Sequence, residues 1–428
     1  MPEMKDSGIA WVQQIPKHWS VIPNKYVMKK EKIICPKYNG QDILSLTMNG
    51  VIVRNLDAGG KMPASFDGYQ IVFPNNLLMC LFDYDVTPRC IGLIRNHGLT
   101  SPAYSQFVMR NGNSEKYYYY YYLMVDTTKE LLHLDKNLRH SFTEEQLGMI
   151  NVPVPPINEQ IAIANILDKK CSEIDALSAD IQSQIDILEE YKKSVITDAV
   201  TKGLNPDVEM KDSGYAAIGK IARDFECKRI KQCIVGMVDG THGTFQRTNE
   251  GQMLLSAKNV FEDGLHISDM ESLISESDYK TIIKNGYPRK NDVLLCCVGT
   301  VGRCMIYTED TPIAFQRSIL FLRCDEKTII PKMLFYCLQS NSTLVQERMA
   351  ITKSAQEGLY QGSVAELRIA FPKNIDMQQK IVSYLDTECM EINAVIADKK
   401  VQLETLAEYK KSLIYEYVTG KKEVPADV

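Results

Sequence analysis

Hydrophobic residues recur every seven positions in two stretches of this chain, and the two stretches match. In the first, Leu167, Ile174, Ile181, Leu188 and Val195 are spaced by seven, with Cys171, Ile185 and Ala199 four later on the same side. In the second, Leu385, Ile392, Leu406 and Leu413 are joined by Cys389, Ile396, Leu403 and Tyr417. Asp, Glu, Lys and Gln fill the positions between, which is the pattern of an amphipathic helix with a narrow seam. Gln160/Gln378, Leu167/Leu385, Asp168/Asp386, Cys171/Cys389, Glu173/Glu391, Ile174/Ile392 and Glu190/Glu408 are each 218 positions apart. A repeat of about 40 residues without a gap favours a rigid element, because loops tolerate insertions. No Pro or Gly lies between Gln160 and Lys202, so the spacing predicts one helix of roughly 50–60 Å. Lys192, Lys399 and Lys410 interrupt the seam, which argues against long, register-perfect pairing. The pattern predicts helices over residues 157–200 and 375–418, packed as an antiparallel pair that acts as a spacer.

The repeat reaches beyond the helices. Met4-Lys5-Asp6-Ser7-Gly8 returns as Met210-Lys211-Asp212-Ser213-Gly214, and Ile15-Pro16-Lys17-His18-Trp19 answers to Ile221-Ala222-Arg223-Asp224-Phe225, 206 positions on. The order is therefore block, helix, block, helix. In the first block, residues 42–47 and 51–54 read as strands around a turn at Asn49-Gly50, and residues 69–73 and 77–82 as strands around Pro74-Asn75-Asn76. Residues 114–134 read as a helix carrying Tyr117 to Tyr122. Tyrosines can stack on bases, but on a helix this run points all ways, which fits a packed helix with a wet edge better. In the second block, residues 251–260 and 293–298 read as strands, and a helix begins at Pro331. Short extended runs, residues 147–156 and 367–372, close the two blocks at prolines. The fold class is α+β: two mixed α/β domains separated by two long antiparallel, coiled-coil-like helices, with an internal pseudo-twofold repeat. The predicted boundaries are 1–156, 157–203, 204–374 and 375–428.

Charge sharpens this division. The formal net charge is −5, yet it is unevenly placed. Residues 1–150 hold 16 Lys and Arg against 14 Asp and Glu, and residues 204–374 hold 21 of each. Residues 157–200 hold 4 against 9, and residues 376–428 hold 7 against 10. The acidity belongs to the helices, which leaves room for a local basic face on each block. No run of 18 apolar residues occurs, so no membrane span is expected. The first residues show no apolar signal region. Twelve cysteines without a C-x-x-C, and six scattered histidines, fit a reducing cytoplasm and predict no zinc site.

The motifs of catalysis are missing. No G-x-G, no G-x-x-x-x-G-K-[ST], no Asn/Asp-Pro-Pro-aromatic and no Gly-x-Ser-x-Gly occurs. Asp207 with Glu209 and Lys211 superficially matches a metal-dependent nuclease, but they sit together in an interdomain linker. Catalytic residues, cofactors and metals are therefore not expected. The loops instead suit a binder, since amides, small residues and guanidinium groups at strand ends match base edges and phosphates. In the second block the candidates are Thr241, His242, Lys258, Asn259, Arg303, Gln316 and Arg317, and in the first Arg54, Lys61, Arg89, Ser101 and Tyr104.

These features together resemble the DNA specificity subunit of a Type I restriction-modification system. The resemblance rests on Asn158-Glu159-Gln160-Ile161 opening a helix that closes in Glu190-Tyr191-Lys192-Lys193-Ser194, and on the second copy of each part. The segments Asp239-Gly240-Thr241-His242, Ser256-Ala257-Lys258-Asn259-Val260 and Gln316-Arg317-Ser318 resemble one class of target recognition domain, and residues 44–110 another. One departure is the second opener, Asp376-Met377-Gln378-Gln379, which lacks the Glu-Gln pair. The resemblance implies that each block reads one half of a split double-stranded DNA site and that the helices set the spacing. It implies a non-catalytic cytoplasmic subunit that binds two modification subunits, with motor-nuclease restriction subunits joining for cleavage. Tyr191, Lys192, Lys193, Tyr409, Lys410 and Lys411 are candidates for the partner surface. Two rival readings are a methyltransferase in its own right, tested by assaying the lone chain, and a coiled-coil scaffold without DNA affinity, tested by salt-dependent DNA binding.

Overall fold

The structure is a computed structural model, and it describes residues 3–58, 63–134, 141–351 and 358–424. The two heptad stretches are single helices, Ile157–Lys202 and Ile375–Val418, of 46 and 44 residues. At about 1.5 Å per residue each is roughly 65–70 Å long. Contacts divide the chain into two units, Met1–Gln182 with Lys400–Val428, and Ser183–Lys399. Each unit therefore holds the first part of one long helix and the last part of the other.

The same sheet is built in both units. In the first, the strand order is Ile91–Leu93, Leu77–Met79, Ser105–Met109, Met28–Glu31, all antiparallel. In the second it is Cys304–Ile306, Val293–Cys296, Ile319–Cys324, Ile234–Asp239, again antiparallel. The opening hairpins also match: Met4–Asp6 pairs with Gln14–Pro16, and Met210–Asp212 with Lys220–Ala222. Each unit is thus mixed α and β.

Burial follows the seam. In the first unit Leu167, Cys171 and Ile174 join Leu413, Ile414, Tyr417 and Val418 in one core with the tyrosine helix. In the second, Ile196, Ala199 and Val200 join Ile381, Leu385 and Cys389. The lysines that interrupt the seam are accommodated by cross-helix bonds. Lys410 Nζ lies 2.5 Å from Asp175 Oδ1 in the first unit. In the second, Lys192 Nζ lies 3.1 Å from Asn393 Oδ1, and Lys399 bonds Gln184. Lys192 and Lys410 are equivalent positions of the repeat, as are Asn393 and Asp175. The interruptions therefore fix the pairing rather than weaken it.

Two further pairs of equivalent residues tie each long helix to its unit. Gln160 is 1% exposed and Gln378 is fully buried. The Gln160 amide donates to Asn113 Oδ1 and Pro155 O, both at 2.9 Å, and accepts from Ser114 N at 2.8 Å. Gln378 donates to Thr328 O at 3.0 Å and Pro372 O at 2.9 Å, and accepts from Ile330 N at 3.0 Å. Ser114 and Ile330 are the N-caps of the domain helices Glu115–Thr127 and Pro331–Gln339. A primary amide, with two donors and an acceptor, satisfies buried backbone groups at two places at once. About two turns further, Asp168 Oδ1 accepts from Tyr120 Oη at 2.8 Å and Asp386 Oδ1 from Tyr336 Oη at 2.5 Å. Burial, with the facing aspartate, pushes both phenols well above their usual range.

The tyrosine run forms core, and its hydroxyls are satisfied except that of Tyr122, which is buried without a partner among the described residues. Tyr117 and Tyr118 donate to Val418 O and Pro153 O, and Tyr121 accepts from the Trp11 indole at 3.1 Å. The helix is shorter than its pattern predicts. It ends at Thr127, because Lys129 adopts φ 53° and its ammonium turns back to Asp126 and Thr87 O; a short 3-10 turn, Glu130–Leu134, follows. The hairpin turn at residues 47–50 is also shifted by one: Thr47 pairs with Gly50, which has φ 89°, so Met48 and Asn49 form the tip.

Replacing Gln160 by Ala strands Ser114 N–H and the Pro155 carbonyl in a buried site. Gln160→Ala and Gln378→Ala should each destabilise their own unit by about 3 kcal/mol, measured by native-state hydrogen exchange, with the other unit's protection unchanged. A loss below 1 kcal/mol, on the order of one exposed hydrogen bond, would contradict the anchoring role.

A second expectation concerns pH. Glu347, in the helix Asn341–Ala350, is 2% exposed, and among the described residues its Oε1 accepts no hydrogen bond. Burial pushes its carboxyl up from 4.5 to about 7. The folded protein therefore holds this proton more tightly than the unfolded chain. The resulting stability is present below pH 4.5 and is lost as pH rises through about 7. Glu347→Gln should stabilise the second unit by up to about 3 kcal/mol at pH 8 and by little at pH 4, read from denaturant midpoints.

Candidate nucleic-acid interface

In the second unit one segment, residues 314–318, gathers the other predicted loops. Ala314–Phe315 pairs in parallel with Gln252–Leu255, and Gln316 N donates to Leu255 O at 2.8 Å. Thr241 bridges Gln316 in parallel; Thr241 N donates to Phe315 O at 2.7 Å and Arg317 N to Thr241 O at 2.9 Å. Ala257 N donates to Ser318 Oγ at 3.2 Å, and Cys297 N to Ser318 O at 2.7 Å. The approach of loop 239–244 requires a glycine: a Cβ on Gly240 would stand 2.1 Å from the Gln316 carbonyl oxygen. Four loops scattered over some eighty residues of sequence thus form one stitched edge.

On that edge His242, Lys258 and Arg317 are exposed, and Thr241, Arg303 and Gln316 half-buried. His242 Nε2 lies 3.3 Å from Asp239 Oδ2. Lys258 Nζ lies 2.9 Å from the buried carboxylate of Glu271, and this bond holds the Glu271 carboxyl below its usual range. Arg303 stacks over the Phe261 ring at 4.5 Å and donates to Val260 O at 3.2 Å. Asn259 requires correction. It is 1% exposed; its amide donates to Glu271 Oε1 at 2.8 Å and His266 O at 3.0 Å, and its Oδ1 accepts from Ser256 N at 3.1 Å. It shapes the loop from inside and offers nothing to a ligand. Sequence reasoning missed Glu271, Phe261 and His266, whose rings stack at 4.1 Å, because nothing in the local pattern distinguishes them from ordinary loop residues.

In the first unit the tip of the hairpin Leu44–Thr47/Gly50–Val53 is held by Arg89. Its guanidinium donates to Met48 O at 2.5 Å, Ile91 O at 3.1 Å and Tyr119 Oη at 2.6 Å. Arg89 is therefore a clamp for an exposed tip, with Met48 62% exposed. Arg54 follows the hairpin, half-buried, and its N–H donates to Ile43 O at 2.7 Å. Ser101 and Tyr104 are half-buried in one turn; both carbonyls accept from the Gln70 amide, and the Tyr104 ring stacks on Phe82 at 6.2 Å. Lys61 lies outside the described residues.

On the long helices Tyr191 and Tyr409 are half exposed, at 54% and 50%. Lys193 and Lys411 pair with Glu190 and Glu408 one turn away, at 2.7 and 2.6 Å, and Lys193 holds the Glu190 carboxyl below its usual range. Lys192 and Lys410 both turn across the helix pair, and Lys192 also binds Glu262 at 2.5 Å. The repeat's conspicuous departure has a partner too. Glu159 accepts from the Trp19 indole at 2.8 Å and lies 2.7 Å from His18 Nε2. The equivalents, Met377 and Phe225, belong instead to one hydrophobic cluster. An acid with an indole in one copy is replaced by a thioether with a phenyl ring in the other.

Among the described residues, no helix is long and apolar enough to cross a membrane, and no group of His, Cys, Asp and Glu could hold a metal ion.

Residues 94–186 and 257–405 match the family described as Type I restriction modification DNA specificity domain. The chain is 24% identical over 266 residues to the Type I restriction enzyme EcoBI specificity subunit of Escherichia coli, covering 58% of this chain and 54% of that one. It is 26% identical over 303 residues to the MjaVIII specificity subunit of Methanocaldococcus jannaschii, covering 68% of this chain and 65% of the relative. The chain thus spans between half and two thirds of the length of these curated relatives. A solved chain described under "Structural basis underlying complex assembly and conformational transition of the type I R-M system" superposes with a TM-score of 0.66 at 13% identity, covering 95% of this chain and 99% of that one. At that identity the likeness is one of fold. The family match extends over more than half of the sequence, across both copies of the repeat, and the chain belongs to the Type I restriction-modification DNA specificity family.

Proposed function

We propose that this chain is the DNA-recognition subunit of a Type I restriction-modification complex and has no catalysis of its own. Residues 1–156 and 204–374 act as two target recognition domains, each reading one half of a bipartite double-stranded site. Residues 157–203 and 375–428 supply the helices that set the distance between the halves. The observation that carries this reading is the sheet built twice in the same strand order with different loops mounted on it. One scaffold with two unlike sets of loops suits two unlike short targets. Half-sites on one face of DNA are about 34 Å apart, and helices of roughly 65–70 Å can span that.

Specificity then comes from loop side chains at base edges, and the salt-dependent share of affinity from phosphate contacts. His242, Gln316, Arg317 and Thr241 are the exposed or half-exposed donors of the second domain's edge. Lys258 and Arg303 already have intramolecular partners and contribute through their remaining donors. In the first domain Arg54, Ser101, Tyr104 and the tip clamped by Arg89 take this role, with Lys61. Tyr191 and Tyr409 mark equivalent places for two copies of a modification subunit, which brings the methyl donor and the chemistry. Twofold-like repetition within one chain suits two copies of a partner. Restriction subunits join the same assembly, in the cytoplasm.

Exchanging residues 204–374 for the equivalent block of another family member should change one half of the methylated site and leave the other half and the gap intact. Mapping methylated bases in cells that carry the exchanged chain with its modification subunit checks this; a change in both halves would refute the division of labour. For the partner surface, Tyr191→Ala with Tyr409→Ala should lower capture of the modification subunit about tenfold, equal to about 1.4 kcal/mol, in a pull-down with the chain still folded. Unchanged capture would remove the tyrosines from that surface.

A further inference from the structure

Leu77–Met79 and Ile91–Leu93 are antiparallel, with Met79 opposite Ile91. One step further along this ladder Cys80 faces Cys90, and Cys80 N donates to Cys90 O at 2.8 Å. Directly opposed residues of antiparallel strands stand about 4.5–5.5 Å apart at Cα, inside the roughly 4.4–6.8 Å that a disulfide bridges. Both residues are buried, at 2% and 3% exposure, with Cys80 Sγ donating to Phe82 O at 3.3 Å and Cys90 Sγ to Thr87 O at 3.7 Å. Lys129 Nζ lies 3.6 Å from Cys90 Sγ and 2.7 Å from Asp126 Oδ1, and the Cys90 amide donates to Asp126 Oδ2 at 2.7 Å. Beside the pair is a cavity of about 20 Å³, lined by both cysteines with Tyr84, Tyr122 and Asp126. That volume admits one molecule of about the size of water. None of this serves DNA reading or partner binding.

We propose that Cys80 and Cys90 are a reactive dithiol that closes to a disulfide with a hydroperoxide and reopens with a thiol reductant. Geometry supplies the pairing, and the local charges supply the order of events. The hydrogen bond from Cys90 holds the Cys80 thiol down to about 7, against burial, which opposes it. Asp83 opposes it as well, and on Cys90 the facing Cys80, burial and Asp126 outweigh Lys129 and push that thiol up. The thiolate is the nucleophile, so Cys80 attacks first. Its sulfur bonds to a peroxide oxygen, the O–O bond breaks, and the departing oxygen takes up a proton. Cys80 is now a sulfenic acid. The Cys90 thiol, which the facing Cys80, burial and Asp126 hold high, attacks the Cys80 sulfur; the S–S bond forms, the S–O bond breaks, and the hydroxyl leaves with the Cys90 proton as water. Two thiols have lost two electrons, and the peroxide has become an alcohol, or water, plus one water. The bond closes across residues 81–89, the segment that carries Phe82 and the Arg89 clamp.

Trypsin cleaves after Arg89 and so separates the two cysteines, leaving Cys90 in the peptide 90–95. The full chain would be treated with hydrogen peroxide at neutral pH, alkylated, digested and analysed by mass spectrometry. The expected result is a linked pair of the 62–89 and 90–95 peptides, lost on adding dithiothreitol. Cys90→Ser should stop at a sulfenic acid on Cys80 that dimedone traps, and Cys80→Ser should give no link. The wild-type chain alone decides the matter if a serine variant fails to fold. Unlinked peptides from folded, peroxide-treated chain, irreversible oxidation of Cys80 without a link, or preferential linkage of other cysteines would each overturn the proposal.

Discussion

A helix of more than forty residues with an apolar seam only one stripe wide cannot bury that seam alone. Everything else in the chain depends on how it is covered. In each unit the answer is the other helix: the start of one lies in a core with the end of the other, so the repeat is a requirement of burial. Burying a single seam leucine is worth about 2–3 kcal/mol, and the equivalent rows at Leu167 and Leu385 contribute this in both units. The lysines within the seam would work against it if they lacked partners. Asp175, Asn393 and Gln184 meet them across the pair and pin its register.

The seam does not fix how a domain sits on its helix. That falls to two polar residues, about one turn and about three turns into each helix. Gln160 and Gln378 close the chain entering the helix onto the N-cap of the domain helix. Asp168 and Asp386 hold a tyrosine hydroxyl from that same domain helix. Both are directional bonds, and those of the glutamines lie in dry surroundings, where misalignment leaves orphaned groups and costs more than it would in water. A recognition loop is only as well placed as the scaffold beneath it, and these bonds transmit the helix position to the sheet on which the loops stand.

Much of this was legible in the sequence because it is periodic or repeated. The two long helices and the α+β class follow from spacing, and the tyrosine run proved to be packed helix, with the Tyr122 hydroxyl alone left without a partner among the described residues. The pairing order of the strands was not legible, because it depends on contacts between residues far apart in sequence. The same holds for the stitched edge at residues 314–318, for which Gly240 gives a signal only once Gln316 is seen against it. Side-chain type does not reveal where a donor is spent. Asn259 has the chemistry of a base reader but is consumed inside its loop, and Lys192 and Lys410 reach across to the other helix. Arg89 likewise spends its guanidinium on the protein. Local pattern names the donor; only the fold says which acceptor reaches it first.

The central claim is that the helix pair is a ruler between two independent readers. Deleting one heptad from each helix, residues 182–188 and 397–403, keeps the seam in phase and removes about 10 Å of rise. On B-DNA, with about 3.4 Å per base pair, the gap between the halves of the methylated site should shorten by about three base pairs while both halves keep their sequence. A gap of unchanged length, or an altered half-site, in the methylation map of a folded double-deletion chain would contradict the account.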